Sequence, residues 1–154
     1  MHNYEVEIHF PGRKNVLDSE VSPDNTTQEV LAKFDSLNWR GLRILQLQMD
    51  GSNSTFFVKN QETGEYLNIT LNAFSVGDAL EFRLESNIPM MVPFKDLFGL
   101  ITRQSKSVLG YKSIGFEQLT HYLTAFVCGE RDQMREYYMQ LLQDKAAQGR
   151  MVAA

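Results

Sequence analysis

Disulfide bonds within the chain are excluded, because its 154 residues include a single cysteine, Cys128. A chain of this length can bury a core without cross-links, and one cysteine suits a reducing compartment. Long apolar runs are also missing, and none approaches the roughly 18 residues that a membrane-spanning helix needs. The first residues, MHNYEVEIHF, lack the basic and apolar regions of a signal peptide. We therefore expect a cytoplasmic protein without a membrane span.

Basic residues do not outnumber acidic ones, with 15 Lys/Arg against 19 Asp/Glu. The formal net charge is −4, and nucleic-acid phosphates are bound by clustered Lys and Arg, so we expect no nucleic-acid partner. The charge is unevenly distributed. Residues 1–88 contain 7 Lys/Arg and 13 Asp/Glu, whereas residues 89–154 contain 8 and 6. This asymmetry indicates two sub-regions.

Motifs of the common catalytic and cofactor sites are absent. The sequence contains no Walker, Gly-x-Gly-x-x-Gly, His-Glu-x-x-His or Gly-x-Ser-x-Gly motif. His121 and Cys128 suggest a nucleophile pair, but seven helical residues span about 10.5 Å, whereas a thiol–imidazole hydrogen bond spans about 3 Å. We interpret Cys128 as a buried structural residue at a helix end. We predict no catalytic residue, no metal ligand and no cofactor.

Apolar and polar residues alternate in several short segments, a pattern typical of half-buried strands. In YEVEIHF and ALEFRLE, the apolar side chains fall on one face and charged residues or histidine on the other. The outward positions of these two segments hold Glu5, Glu7, His9, Glu81, Arg83 and Glu85. Strands are predicted at residues 4–10, 16–21, 42–49, 55–60, 66–71 and 79–85.

A helix is predicted directly after the first two strands. Thr26 and Glu29 have the spacing of a capping box, and Val30 and Phe34 lie on one apolar helical face. We expect this helix over residues 26–38. In the last third of the chain the apolar spacing again becomes helical, which predicts three more helices. Their expected positions are 93–105, from 116 to a stop at Gly129, and from there to about 147.

Two stretches carry a resemblance to a known family. The first is Val21-x-Pro23-x-Asn25-Thr26 followed by Val30-x-Ala32-Lys33-Phe34, and the second is Leu71-x-x-Phe74-x-Val76-Gly77-Asp78 followed by Leu80-x-Phe82-x-Leu84. On these motifs, residues 3–86 resemble the ubiquitin-like β-grasp family. The Gly-Asp-x-Leu ending is most similar to bacterial ubiquitin-like proteins linked to type VII secretion.

The resemblance implies an α+β fold in which one helix crosses a β-grasp sheet. The segment 42–49 would add an extra strand to the family pattern. We expect residues 1–88 to form the ubiquitin-like β-grasp domain and residues 89–154 to form a helical appendage of about three helices.

The leading hypothesis is a non-catalytic protein–protein interaction module, serving as an accessory component of a bacterial secretion system or another multiprotein assembly. An acidic sheet face would steer a basic partner, and an exposed aromatic side chain would anchor it. Tyr137 and Tyr138 lie about 100° apart on a helix, so one of them is expected to be exposed. The predicted protein-binding residues are Glu5, Glu7, Glu81, Arg83, Glu85 and Tyr138.

Two alternatives stay open. The first is a small ligand-binding domain or enzyme with a site between sheet and helices, in a pocket lined by His121, Tyr122 or Cys128. The second is an immunity or inhibitor protein, which an acidic face also fits. The sequence leaves the oligomeric state undetermined.

Overall fold

The computed structural model describes residues 3–11, 20–48, 53–74, 79–95 and 102–153. In these residues the chain forms six strands and four helices. They are β1 (Tyr4–His9), β2 (Glu20–Asn25), α1 (Thr27–Ser36), α2 (Trp39–Gln48), β3 (Thr55–Asn60), β4 (Tyr66–Asn72), β5 (Glu81–Lys95), β6 (Thr102–Gly115), α3 (Phe116–Val127) and α4 (Arg131–Ala153).

The six strands form one antiparallel sheet in the order β2-β1-β3-β4-β5-β6. The helices pack on one face of this sheet, so the expected α+β class is confirmed. The β-grasp arrangement itself is not confirmed. The strands predicted at 55–60, 66–71 and 79–85 correspond to β3, β4 and the start of β5.

Helix α1 begins where the capping box predicts. The Thr26 hydroxyl accepts a hydrogen bond from the Glu29 backbone N–H at 3.2 Å, and the Glu29 carboxylate accepts one from the Thr26 N–H at 3.1 Å. These hydrogen bonds lower the pKa of Glu29. Val30 and Phe34 are buried, and the Phe34 ring meets the Phe56 ring of β3 edge-on at 5.3 Å. The first helix therefore packs across the first strands.

The strand predicted at 42–49 is wrong, because Trp39–Gln48 is the helix α2. Asn38, which the sequence suggested as a helix end, starts this helix by accepting a hydrogen bond from the Gly41 N–H at 3.1 Å. Trp39 and Leu42 are buried and lie three residues apart, on one helical face. The alternation of Leu and Gln predicts a strand, but the burial of the Trp39 and Leu42 side chains stabilises a helix instead.

The helix predicted at 93–105 is also wrong. Residues up to Lys95 belong to β5 and residues from Thr102 belong to β6, while 96–101 lie outside the described residues. Pro89 and Pro93 suggested an end of the sheet, yet both lie inside β5. They are tolerated because β4 pairs with β5 only as far as Ser86, so within the described part of the chain this stretch of β5 has a paired neighbour on one side only.

The boundary expected at 88/89 therefore falls within β5. The residues after this boundary form the rest of β5, which pairs with β6, and then α3 and α4, instead of the three helices expected. The two later predictions, a helix from 116 to a stop at Gly129 and a helix after it, are confirmed as α3 and α4, although α4 continues to Ala153 beyond the predicted end near residue 147. Gly129 has φ +73°, the conformation in which glycine ends helices.

The end of α3 is joined to the start of the chain by two buried or half-buried hydrogen bonds. The Tyr4 hydroxyl and the Thr27 hydroxyl both donate to the Val127 carbonyl, each at 2.8 Å. Carbonyls in the last turn of a helix have no partner within the helix, so these side chains complete the α3 terminus. Burial raises the pKa of the Tyr4 hydroxyl above its usual value, further from neutral pH. One carbonyl thus connects β1, α1 and α3.

We predict that Tyr4→Phe lowers the free energy of unfolding by about 1–2 kcal/mol, because the ring stays while a buried hydrogen bond is lost. Combining it with Thr27→Val should cost more than the sum of the two single changes, since the Val127 carbonyl then loses both donors. Urea unfolding measures each value. Tyr66→Phe is the control, because the Tyr66 hydroxyl has no hydrogen-bond partner among the described residues. Equal stabilities of Tyr4→Phe and wild type would contradict the assignment.

Candidate functional site

The sheet has a second face, which the described helices leave uncovered. Along β1, β3 and β4, buried residues alternate with half-buried ones, and the half-buried set points away from the helices. We call this side the open face. With the outward residues of β5 it comprises Glu5, Glu7, His9, Thr55, Phe57, Lys59, Tyr66, Asn68, Thr70, Asn72, Glu81, Arg83 and Glu85.

The strand register brings the predicted charged residues onto this face in two groups. Glu7 lies opposite Phe57, Phe57 opposite Asn68, and Asn68 opposite Glu85. Three strand spacings therefore separate Glu7 from Glu85, a distance of roughly 14 Å. Glu5 lies on β1 with Glu7, and Glu81 and Arg83 lie on β5 with Glu85. The open face thus has an acidic group on each side and β3 and β4 between them.

An aromatic pair occupies the centre of the open face. The rings of Phe57 on β3 and Tyr66 on β4 lie 5.3 Å apart at an angle of 34°. Both side chains are half-buried. The sequence signal for them was present but unused: Phe56 and Val58 point inward, so Phe57 between them must point outward.

The carboxylates of the open face make exposed or partly buried contacts with neighbouring side chains. Arg83 pairs with Glu85 at 2.7 Å, and His9 lies 3.1 Å from Glu7. The Ser113 hydroxyl donates to Glu81 at 3.0 Å. Surface ion pairs contribute at most about 1 kcal/mol. A cationic partner can therefore replace these contacts at low cost.

Tyr138 corrects the predicted binding set. Its side chain is 7% exposed, and its ring meets the Tyr111 ring at 5.4 Å. The Tyr111 hydroxyl lies close to that of Tyr122, at 3.1 Å, and also donates to the Tyr138 carbonyl. Burial raises the pKa of both Tyr111 and Tyr122. Tyr138 is thus a core residue and offers no exposed anchor, because it shares the inward face of α4 with Met134.

A groove of about 260 Å³ lies between α3 and α4, and not between the sheet and the helices, where the alternative site was expected. His121 and Tyr122 line it, as expected, together with Tyr137. Cys128 lies outside it, at the exposed C-terminal end of α3, so the expectation of a buried cysteine is wrong. The reason is its position as the last residue before the Gly129 turn. The structure does not bring His121 and Cys128 together in this groove.

The described residues contain no cluster of three or more His, Cys, Asp or Glu side chains arranged to hold a metal ion. Within the same residues, none of the helices has the length and apolar character needed to cross a membrane.

Comparisons with known proteins returned no match: no family model, no curated protein and no solved structure is significantly similar to this chain.

Tyr138 lies in the core and Phe57 lies on the open face, so we predict that their substitution affects stability differently. Tyr138→Ala should lower the free energy of unfolding by about 3 kcal/mol, because it removes a buried ring from the core. Phe57→Ala should cost only about 1 kcal/mol, the typical value of a cross-strand pair on an uncovered face. Chemical denaturation of both variants measures the difference. A larger loss for Phe57→Ala than for Tyr138→Ala would show that the two residues are wrongly placed.

Proposed function

We propose that this chain is a non-catalytic protein-binding module, acting in the cytoplasm, that recognises a basic segment of a partner protein on its open face. The observation that carries the proposal is the Phe57–Tyr66 pair with carboxylates on both sides. A half-buried aromatic pair on an uncovered sheet face supplies apolar contact area, and aromatic residues are enriched where interfaces gain most of their energy.

The charge pattern supports a basic partner. Glu5, Glu7, Glu81 and Glu85 share the open face with two cations, Lys59 and Arg83. Carboxylates at the rim of an interface increase the association rate of an oppositely charged partner and select against acidic ones. The aromatic pair would then hold the partner after encounter. In this mechanism binding requires no bond to be made or broken.

The spacing of the carboxylates suggests the pattern of the partner segment. Glu7 and Glu85 lie roughly 14 Å apart across the strands, and an extended chain advances about 3.3 Å per residue. A segment crossing the strands would therefore place basic residues about four positions apart, with an apolar residue between them for Phe57. This pattern distinguishes the proposal from general attraction between opposite charges.

The ubiquitin-like part of the proposal is supported by the sequence motifs and by α1. The capped helix follows β2 directly and packs against β1 and β3, which is the position that the family resemblance implies for its crossing helix, although here a second helix, α2, follows it. We propose on this basis that the partner belongs to a multiprotein assembly, and that a bacterial secretion system linked to ubiquitin-like proteins is the first one to test.

A second candidate function is the binding of a small ligand, and the groove between α3 and α4 favours it. The groove lies on the helical side of the sheet, so the two functions are compatible.

We predict that peptides selected from a random library on the full-length protein carry paired basic residues around an apolar one. Replacing Glu7 and Glu85 together by Gln should weaken the selected peptides about five- to tenfold, because two exposed charge contacts are lost. Phe57→Ser should weaken them as well, and added salt should do so progressively. Fluorescence anisotropy with labelled peptide measures each dissociation constant.

The matched control replaces Glu130 by Gln and Asp132 by Asn, which removes the same charge near the start of α4 and should leave binding unchanged. Selected peptides without basic enrichment, or equal weakening by the control, would reject the open face as the binding surface.

A further inference from the structure

The groove between α3 and α4 has an aromatic end and an acidic end. We infer that it binds a small organic cation, an ammonium group carried on an aromatic or apolar stem. This site is separate from the open face, and the inference goes beyond the proposed protein-binding function.

The aromatic end is built around Tyr137. Its ring stacks on His121 at 5.6 Å with an angle of 27°, and it meets Tyr122 edge-on at 5.6 Å. Tyr122 is itself held by the buried contact of its hydroxyl with that of Tyr111. Because packing holds the buried Tyr122 ring and Tyr137 lies against it, a ligand stem meets an aromatic surface that is already formed.

The acidic end follows from the direction of the two helices. His121 on α3 faces Tyr137 on α4, and the helices are antiparallel neighbours joined by a short turn. Glu117, one turn before His121, therefore lies at the same end of the groove as Asp144, two turns after Tyr137. Both carboxylates line the groove. No Lys or Arg among the described residues lines it.

Electrostatic complementarity identifies the ligand class. Two carboxylates in a groove that no described Lys or Arg lines attract positive charge, and ring faces and edges accept the apolar part of an amine. The Gln140 side chain donates to Asp144 at 3.1 Å, which holds this carboxylate while its remaining lone pairs can accept from a ligand. The two carboxylates at this end would repel an anionic ligand.

The size of the groove limits the ligand. Its volume of about 260 Å³ is below the roughly 300–1,000 Å³ of sites for drug-sized molecules. A free aralkylamine fits this description, and so does the side chain of a lysine on another protein. Both present an alkylammonium group, and the experiment separates the two sources.

The test compares 2-phenylethylamine with 2-phenylethanol, which has nearly the same shape without the charge. Titration of the full-length, ¹⁵N-labelled protein, followed by NMR, should shift amide signals of α3 and α4 with the amine. The alcohol should bind at least about tenfold more weakly, since it cannot form a charge-assisted hydrogen bond. A parallel titration with Nα-acetyl-lysine methylamide identifies a protein side chain as the source if it binds more tightly than the free amine.

Matched variants complete the test. Combining Glu117→Gln with Asp144→Asn should weaken amine binding about tenfold without changing the fold, because both side chains are exposed. Glu136→Gln removes a carboxylate of α4 that does not line the groove and should change nothing. Equal binding of amine and alcohol, shifts confined to the open face, or the same weakening by Glu136→Gln would each overturn the inference.

Discussion

The arrangement of sheet and helices depends on the carbonyl of Val127. A helix end buried without partners is costly, and here two hydroxyl groups from the first part of the chain complete it, Tyr4 of β1 and Thr27 of α1. Residues 123 and 100 positions apart in the chain are thereby fixed against each other. The Tyr4 ring also meets Phe126 at 5.8 Å, so packing and hydrogen bonding act at the same place. This junction fixes the end of α3 against β1 and α1.

Covering one face decides the character of the other. Alternation along each strand sends every second side chain to the helical side, where Tyr4, Val6 and Phe56 are buried. The side chains between them must then tolerate water, and most are charged or polar. Phe57 and Tyr66 are the exceptions. An apolar pair in such a position gives the face a contact that charge alone would not provide.

The sequence predicts those elements whose signals are local. The capping box of Thr26 and the alternation of β1, β3 and β4 needed no tertiary information. The conformation of α2, in contrast, depends on tertiary contacts. The Gln46 side chain accepts a hydrogen bond from the Ser54 N–H and donates one to the Leu71 carbonyl, at the end of the sheet. In β5, the strand can contain Pro89 and Pro93 because the pairing of β4 with β5 ends at Ser86, which the sequence does not reveal. At the site, the carboxylates were predicted from alternation, while the choice between Tyr137 and Tyr138 required knowing which helix face meets Tyr111.

The charge composition of residues 89–154 differs in sign from the charge of the groove between α3 and α4. Residues 89–154 hold more basic than acidic side chains, yet the groove within them is lined by two carboxylates and by no Lys or Arg among the described residues. What a ligand experiences is the charge within about a Debye length, roughly 8–10 Å, so helix direction outweighs composition. The antiparallel pairing of α3 and α4 brings Glu117 to the end of the groove that holds Asp144. A parallel pairing would have put the two carboxylates at opposite ends and left no acidic end for an ammonium group.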